Sequence, residues 1–394
     1  MRIAEDNNEF SRIETAATGA HSLIIFDSIF PHLLSAFRIA EYNSYLAAFK
    51  DAWVYSTAQG FPLIGETRSF GEVLEEYGQF YPQFKDRVAL LDDKTEIVAK
   101  LIYTVFLSYA FRFIEVAEKA NVPFIFTLYP GGTFELNESE SDAKLRRVCA
   151  SPNLKKIIVT QKATRDYLNE HRFCDPSLVS FIYGGVFPTD RLRRTVMPKR
   201  RYKAEKDSFD ICFVAHKYTM HGRDKGYDIF IDVAKRLARA HDDIFFHVVG
   251  QFNESDIEVS DIKDRIMFYG VQVTDFFSKF YSRIDLILSP NVPFIARPGS
   301  FDGFPTGCCI EAGTCGVAVF CTDPLNQNIA FEDGREIIIV PRNAEEICAI
   351  VEHYYRNYDL LYELAERGRA AFERVFDLSA QMRPRLELLA EYIK

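Results

Sequence analysis

DICFVAHKYTMHGRDKGYDIFIDVAKRLARAHDDIFFHVVG, residues 210–250, reads as strand, loop, helix and strand. The outer runs, DICFVAH (210–216) and DIFFHVVG (243–250), are continuous, apolar and rich in β-branched and aromatic residues, the pattern of strands covered on both faces. Between them an amphipathic helix is expected over roughly 227–240. Two covered strands joined through one helix form a βαβ unit, and such a unit requires parallel pairing.

The same rhythm extends in both directions. Downstream lie RIMFYG (265–270), IDLILS (284–289), GVAVFC (316–321) and EIIIV (336–340), followed from about 343 by amphipathic helices such as ELAERGRAAFERVF and MRPRLELLAEYIK. Upstream lie SLIIFD (22–27), AWVYST (52–57), VPFIFTL (122–128), KKIIVT (155–160) and LVSFIY (178–183). LIYTVFLSYAF (101–111) is the longest apolar run and is read as a buried helix, since it is short of the ~18 residues that a membrane span needs and is flanked by Lys100, Arg112 and Glu115. The fold class expected is therefore α/β: two Rossmann-like doubly wound domains facing a central cleft, with ligands at the carboxyl ends of the strands. The expected boundaries are 1–190 for the first domain, 191–208 for a linker, 209–376 for the second domain, and 377–394 for a C-terminal helix packing back on the first.

The chain has 394 residues, too many for one ordinary core, and its 48% hydrophobic and 26% charged content is that of a globular protein rather than a disordered one. A net charge of −9 argues against a general nucleic-acid binder, which needs a cationic surface. Eight cysteines without a Cys-x-x-Cys pair read as reduced packing residues of a cytoplasmic protein, not as a disulfide frame or a zinc site. The opening MRIAEDNNEF is acidic and polar and does not read as a secretory signal. RLRRTVMPKRRYKAEK (191–206) stands apart, with eight basic residues and one acidic residue. It is expected to be a solvated hinge or a contact surface for an anionic membrane, the latter placing the protein at the inner face of a membrane.

Two loops carry the chemistry. In GSFDGFPTGCCIEAGTCGVAVFCTD (299–323), Pro305 and the expected N-cap Thr306 open a helix whose free N–H groups and dipole would receive a diphosphate, and Gly303 and Gly307 would let the backbone approach it. Glu311, about one turn further on among small residues, would accept two ribose hydroxyls. Lys217, Arg223 and Lys225, on the loop after DICFVAH, would neutralise charge on a leaving diphosphate. No Asp-x-Asp pair is present, so neither a catalytic metal nor another cofactor is expected.

These residues resemble glycosyltransferase family 4, the retaining nucleotide-sugar enzymes of GT-B fold. Lys225-Gly226 matches the family's Lys-Gly ending of its strand-loop-helix, and DGFP (302–305) with Glu311-Ala312 matches its acidic-Gly-Phe-Gly/Pro loop leading to Glu-Ala. With GVAVFCTD the resemblance covers roughly 210–340. In the first half it is confined to the strand-helix rhythm and to IIVTQKATRDYL and FIYGGV. The sequence departs from the family in having Asp302 for the first glutamate, eight residues between it and Glu311, a longer basic loop, no Gly-rich first loop, and Tyr129-Pro130-Gly131-Gly132 where a histidine is common.

The resemblance implies a nucleotide-diphosphate sugar donor, a glycan or lipid-linked acceptor, and retaining, metal-independent transfer serving cell-surface polysaccharide or glycoconjugate assembly. Lys225, with Lys217 or Arg223, would hold the diphosphate. Asp302 would meet sugar hydroxyls, Gly303, Phe304, Pro305, Thr306 and Gly307 would frame sugar and phosphate, and Glu311 would take the ribose. Tyr129, Gly131, Gly132 and Thr133, on the loop after FIFTL, would touch the acceptor. The alternative is a non-catalytic GT-B subunit that binds a glycan or stabilises a partner glycosyltransferase.

Overall fold

The computed structural model of the chain describes residues 21–92 and 95–393, so MRIAEDNNEF and its expected lack of a secretory signal lie outside the described residues. The first sheet contains β1 (Ile24–Asp27), β2 (Trp53–Ser56), β3 (Val88–Leu90), β4 (Ile102–Val105), β5 (Phe124–Leu128), β6 (Leu154–Val159) and β7 (Val179–Phe181). The second contains β8 (Phe209–Val214), β9 (Ile244–Val249), β10 (Ile266–Phe268), β11 (Leu286–Ser289), β12 (Ala318–Cys321) and β13 (Ile338–Ile339). Their orders are β3-β2-β1-β4-β5-β6-β7 and β10-β9-β8-β11-β12-β13. Every pairing between these strands is parallel. Each order reverses once, between β1 and β4 and between β8 and β11, and in sheets of this kind ligands bind outside the carboxyl ends at the reversal.

Alternation along the second sheet builds two core layers. Ile211, Phe213, Leu286, Leu288 and Phe320 pack on one face, while Cys212, Ile287, Val319 and Cys321 pack on the other, as the two-residue period of a strand requires. Cys309 and Cys315 join the second layer, and all eight cysteines are free thiols. The buried thiols therefore act as small apolar residues.

The structure corrects the sequence reading at two elements. The 101–111 run is strand β4 followed by the helix Leu107–Ala120. Between them Phe106, at φ 67°, turns the chain. β4 is central and buried at every position, so its apolar pattern has no alternation to separate it from a buried helix. The short β3 was not anticipated, because three residues at a sheet edge carry little pattern.

By its contacts the chain divides into a first unit that runs to Val186 and resumes at Gln381, and a second unit, Phe187–Ala380. The 191–206 run is thus part of the second unit rather than a hinge. Its first residues lie in the helix Thr189–Thr195, and Leu192 and Tyr202 are buried in the two core layers. Lys199 donates from Nζ to the carbonyls of Tyr281, at 3.1 Å, and Ile284, and burial brings its ammonium down to about 8. Lys206 is held at 2.6 Å by both Asp210 and Asp285. Arg191, Arg193, Arg194, Arg201 and Lys203 also reach acidic partners within the unit. Six of the eight basic residues are therefore paired with acidic groups of the same unit, most of them at its surface. Among the described residues no helix is long and apolar enough to cross a membrane.

Candidate active site

The reversal between β8 and β11 brings together the two loops singled out by sequence. After β8 the chain passes through the turn Met220–Lys225 into the helix Tyr227–Ala240. Gly226 joins turn to helix at φ 70°, and a Cβ there would lie 2.0 Å from the carbonyl oxygen of Pro290, just beyond β11. Only glycine satisfies both demands, and its close approach, with the Val292 N–H donating 2.9 Å to the Asp224 carbonyl, clamps the two loops together.

The clamp sets Lys225 against Asp302. Lys225 is 8% exposed, and its Nζ donates to the two Asp302 carboxylate oxygens at 2.6 and 2.8 Å. Burial alone would lower its pKa, but the adjacent Asp302 carboxylate outweighs that and raises it. Asn291 Nδ2 donates 2.6 Å to Asp302 Oδ2, and Ser289 Oγ donates 2.8 Å to Asn291 Oδ1. The result is an oriented polar chain from the end of β11 to Lys225. Asn291 and Ser289 were not anticipated, since Asn291 and Asp302 lie eleven positions apart in sequence.

The other two basic candidates are placed differently. Lys217 Nζ is paired with Asp256 at 2.8 Å, and Arg223 is largely exposed, 3.8 Å from Asp228. Of the three cations, Lys225 alone is joined to the 302–311 loop by an ion pair among the described residues.

The helix Gly307–Thr314 begins where expected, with Thr306 at the N-cap position, but no side chain caps it. The Thr306 hydroxyl turns instead to the Cys308 and Cys309 sulfurs and to Ser289 Oγ. The leading N–H groups thus keep the capacity for an anion that the sequence suggested. Gly307 has a packing reason that the sequence reading missed: a Cβ there would lie 2.8 Å from the Phe187 ring. Gly303, Phe304 and Thr306 line an open recess with Ser289, Asn291 and Asp302. Pro305 follows Phe304 through a cis peptide bond.

Glu311 is partly buried, and among the described residues nothing hydrogen-bonds its carboxylate. Burial alone pushes its carboxyl up to about 7. An unpartnered carboxyl beside an uncapped helix start suits a ligand that brings hydroxyl donors.

The proposed acceptor residues lie in the first unit, after β5. Tyr129 is buried, and its hydroxyl donates 3.0 Å to Glu41 Oε2. It belongs to a buried network in which Tyr45 and Tyr103 also donate to Glu41, so its polar tip is already engaged. Gly131, Gly132 and Thr133 have φ of 91°, 54° and 66°. The Gly132 position faces the Phe106 side chain, which a Cβ would strike at 2.4 Å, and the Thr133 hydroxyl is buried without a partner. At the reversal of this sheet, Asp27 accepts Arg38 Nε at 2.7 Å and Tyr42 OH at 3.0 Å. Sequence reasoning passed over Asp27 and Arg38, although an aspartate ending a buried strand was visible in SLIIFD.

Residues 208–357 match the family described as glycosyl transferases group 1, a span that contains Lys225-Gly226, DGFP and Glu311-Ala312. No curated protein matches the sequence. Among solved structures, the chain is similar to Anabaena Alr3699/HepE in complex with UDP and glucose, at 15% identity and a TM-score of 0.67, over 94% of this chain and 99% of that one. It is also similar to a glycosyltransferase from Rickettsia africae, at 14% identity and a TM-score of 0.65, over 94% and 98%. A third likeness is to sucrose-phosphate synthase from Thermosynechococcus elongatus, at 14% identity and a TM-score of 0.62, over 94% and 99%. The fold is GT-B, two parallel-sheet Rossmann-like domains, and the second half carries the resemblance to glycosyltransferases.

Proposed function

We propose that the chain is a retaining glycosyltransferase that moves a sugar from a nucleoside diphosphate to a glycan or lipid-linked acceptor without a catalytic metal, in cell-surface polysaccharide or glycoconjugate assembly. The observation that carries the reading is the Lys225–Asp302 pair at the strand reversal, a few residues from an uncapped helix start and the unpartnered Glu311. The solved likenesses that hold UDP or UDP-glucose support a nucleotide-sugar donor. In this reading Lys225 meets the diphosphate, the helix start receives a phosphate, Asp302 turns to sugar hydroxyls, and Glu311 takes the ribose. Charge develops on the leaving diphosphate as the glycosidic bond breaks, so a preorganised cation lowers the barrier more than it lowers the ground state. The acceptor assignment does not rest on the 191–206 run, whose charges are largely paired.

The test is release of nucleoside diphosphate from UDP-glucose, UDP-N-acetylglucosamine and GDP-mannose by the purified chain. Lys225→Ala should lower kcat by roughly 10²–10³ with the fold intact. Asp302→Asn should act oppositely on two readouts. Freeing Lys225 from a part-exposed ion pair worth about 1 kcal/mol should tighten nucleoside diphosphate binding several-fold, while turnover falls. No release from any donor would favour the non-catalytic subunit, and unchanged kcat in folded Lys225→Ala would remove Lys225 from the diphosphate.

A further inference from the structure

The recess beside Asp302 contains a buried acceptor that no sequence motif indicated. Gln327, on the loop after β12, is 4% exposed and lines the recess with Ser289, Asn291, Asp302, Thr322 and Asp323. Its Nε2 donates 3.1 Å to the Asp302 carbonyl. That bond fixes the amide orientation, because a carbonyl can only accept. The opposite atom, Oε1, is buried without a hydrogen-bond partner. The backbone of the same loop is pinned by Asp323, which accepts from the N–H groups of Gln327 at 2.8 Å and Asn328 at 2.9 Å. Gln327 is therefore held in place with one polar valence open.

Three side-chain donors around the recess are engaged within it. Thr322 donates 2.7 Å to the Asn291 carbonyl, Ser289 donates to Asn291 Oδ1, and Asn291 donates to Asp302. Beside them stands acceptor capacity, from Gln327 Oε1 and from the Asp302 and Asp323 carboxylates. A buried acceptor left without a donor is costly, and a site built to bond a hydroxyl rejects analogues that lack it far more strongly than an apolar pocket rejects a missing methylene. Two carboxylates beside it disfavour an anionic sugar.

We infer that Gln327 is a specificity-determining residue for the transferred sugar: Oε1 accepts one O–H or amide N–H of an uncharged, hydroxyl-rich glycosyl group seated between Asp302 and Asp323, and uronic acids are excluded. This rests on the nucleotide-sugar reading above. The experiment is calorimetric binding of nucleoside diphosphate, parent donor, and the deoxy and deoxyfluoro donors substituted at each sugar carbon. The parent is whichever of UDP-glucose, UDP-N-acetylglucosamine and GDP-mannose the wild-type chain binds most tightly. Deoxygenation at one position should cost roughly ten- to hundredfold in affinity. Fluorine at that position, which accepts but cannot donate, should cost as much. In Gln327→Met, of similar volume, the penalty at that position alone should collapse, with nucleoside diphosphate affinity unchanged. The matching uronic-acid donor should bind wild type at least tenfold more weakly than the parent. Equal tolerance of fluorine and hydroxyl at every position in the wild type overturns the inference, whatever the variant does, and so does an unaltered penalty in folded Gln327→Met. Binding of no nucleoside diphosphate or donor to the wild type overturns the underlying nucleotide-sugar reading instead.

Discussion

In the proposed site, Glu311 would set function against stability on one side chain. Burial lifts its carboxyl to about 7, above the ordinary glutamate value of about 4.3. For an acid shifted upward, the fold favours the protonated form. Its contribution to stability therefore declines as pH rises from about 4.3 to about 7 and is flat above that window. Glu311→Gln removes the ionisation penalty. It should raise the melting temperature at pH 8 and leave it nearly unchanged at pH 4. The same substitution should weaken nucleoside diphosphate binding by roughly ten- to hundredfold, because a carboxylate accepting hydroxyls is lost. Melting curves at both pH values with calorimetry at pH 8 check this, and a variant that binds normally would take the ribose away from Glu311.

At the scale of elements, the helix Gly307–Thr314 explains both what the sequence made legible and what it concealed. Its start and Glu311 follow from local chemistry: a Pro-Thr-Gly entry, a strand ending before it and a carboxylate among small residues. Its glycines do not, because their reasons lie far along the chain. A Cβ on Gly313 would stand 2.2 Å from Phe372 Cδ2, in the helix Tyr358–Phe376. The glycine that costs helix propensity is thus required by close helix packing, and Gly313→Ala should destabilise the chain by ~1–3 kcal/mol despite alanine's better propensity. Denaturant unfolding checks this, and a stabilised variant would show that Phe372 moves aside freely. The same blindness to distance hid the partners of the basic residues. Three cations on one loop look equivalent in sequence, yet Lys217 answers to Asp256 and Lys225 to Asp302. Continuous apolar runs bounded by turn residues gave most strands correctly, whereas β4 runs on into the apolar start of the following helix and offered no boundary to read.

At the scale of the whole molecule, the chain end closes the unit with which the chain begins. The helix Leu378–Ile393 passes into the first unit at Gln381. There Gln381 Nε2 donates 3.0 Å to the Tyr183 carbonyl, and fully buried Arg385 donates 2.6 Å to the Gln381 carbonyl and 3.4 Å to that of Gly184. Burial would lower the pKa of Arg385, but the Tyr129 and Glu41 side chains outweigh it, so Arg385 stands beside the buried polar network in which three tyrosines converge on Glu41. Removing the buried guanidinium leaves the acceptors it meets without a donor, at a cost on the order of 1–3 kcal/mol. The second unit, Phe187–Ala380, has its own sheet and two core layers and contains none of these groups. Arg385→Met should therefore weaken the two units unequally. Hydrogen exchange followed peptide by peptide should show faster exchange over β1, β4 and β5, with β8, β11 and β12 protected as in the wild type. Exchange that accelerates equally in both sheets would mean that the units unfold as one, and exchange unchanged in the first sheet would mean that the buried network of this unit does not depend on Arg385.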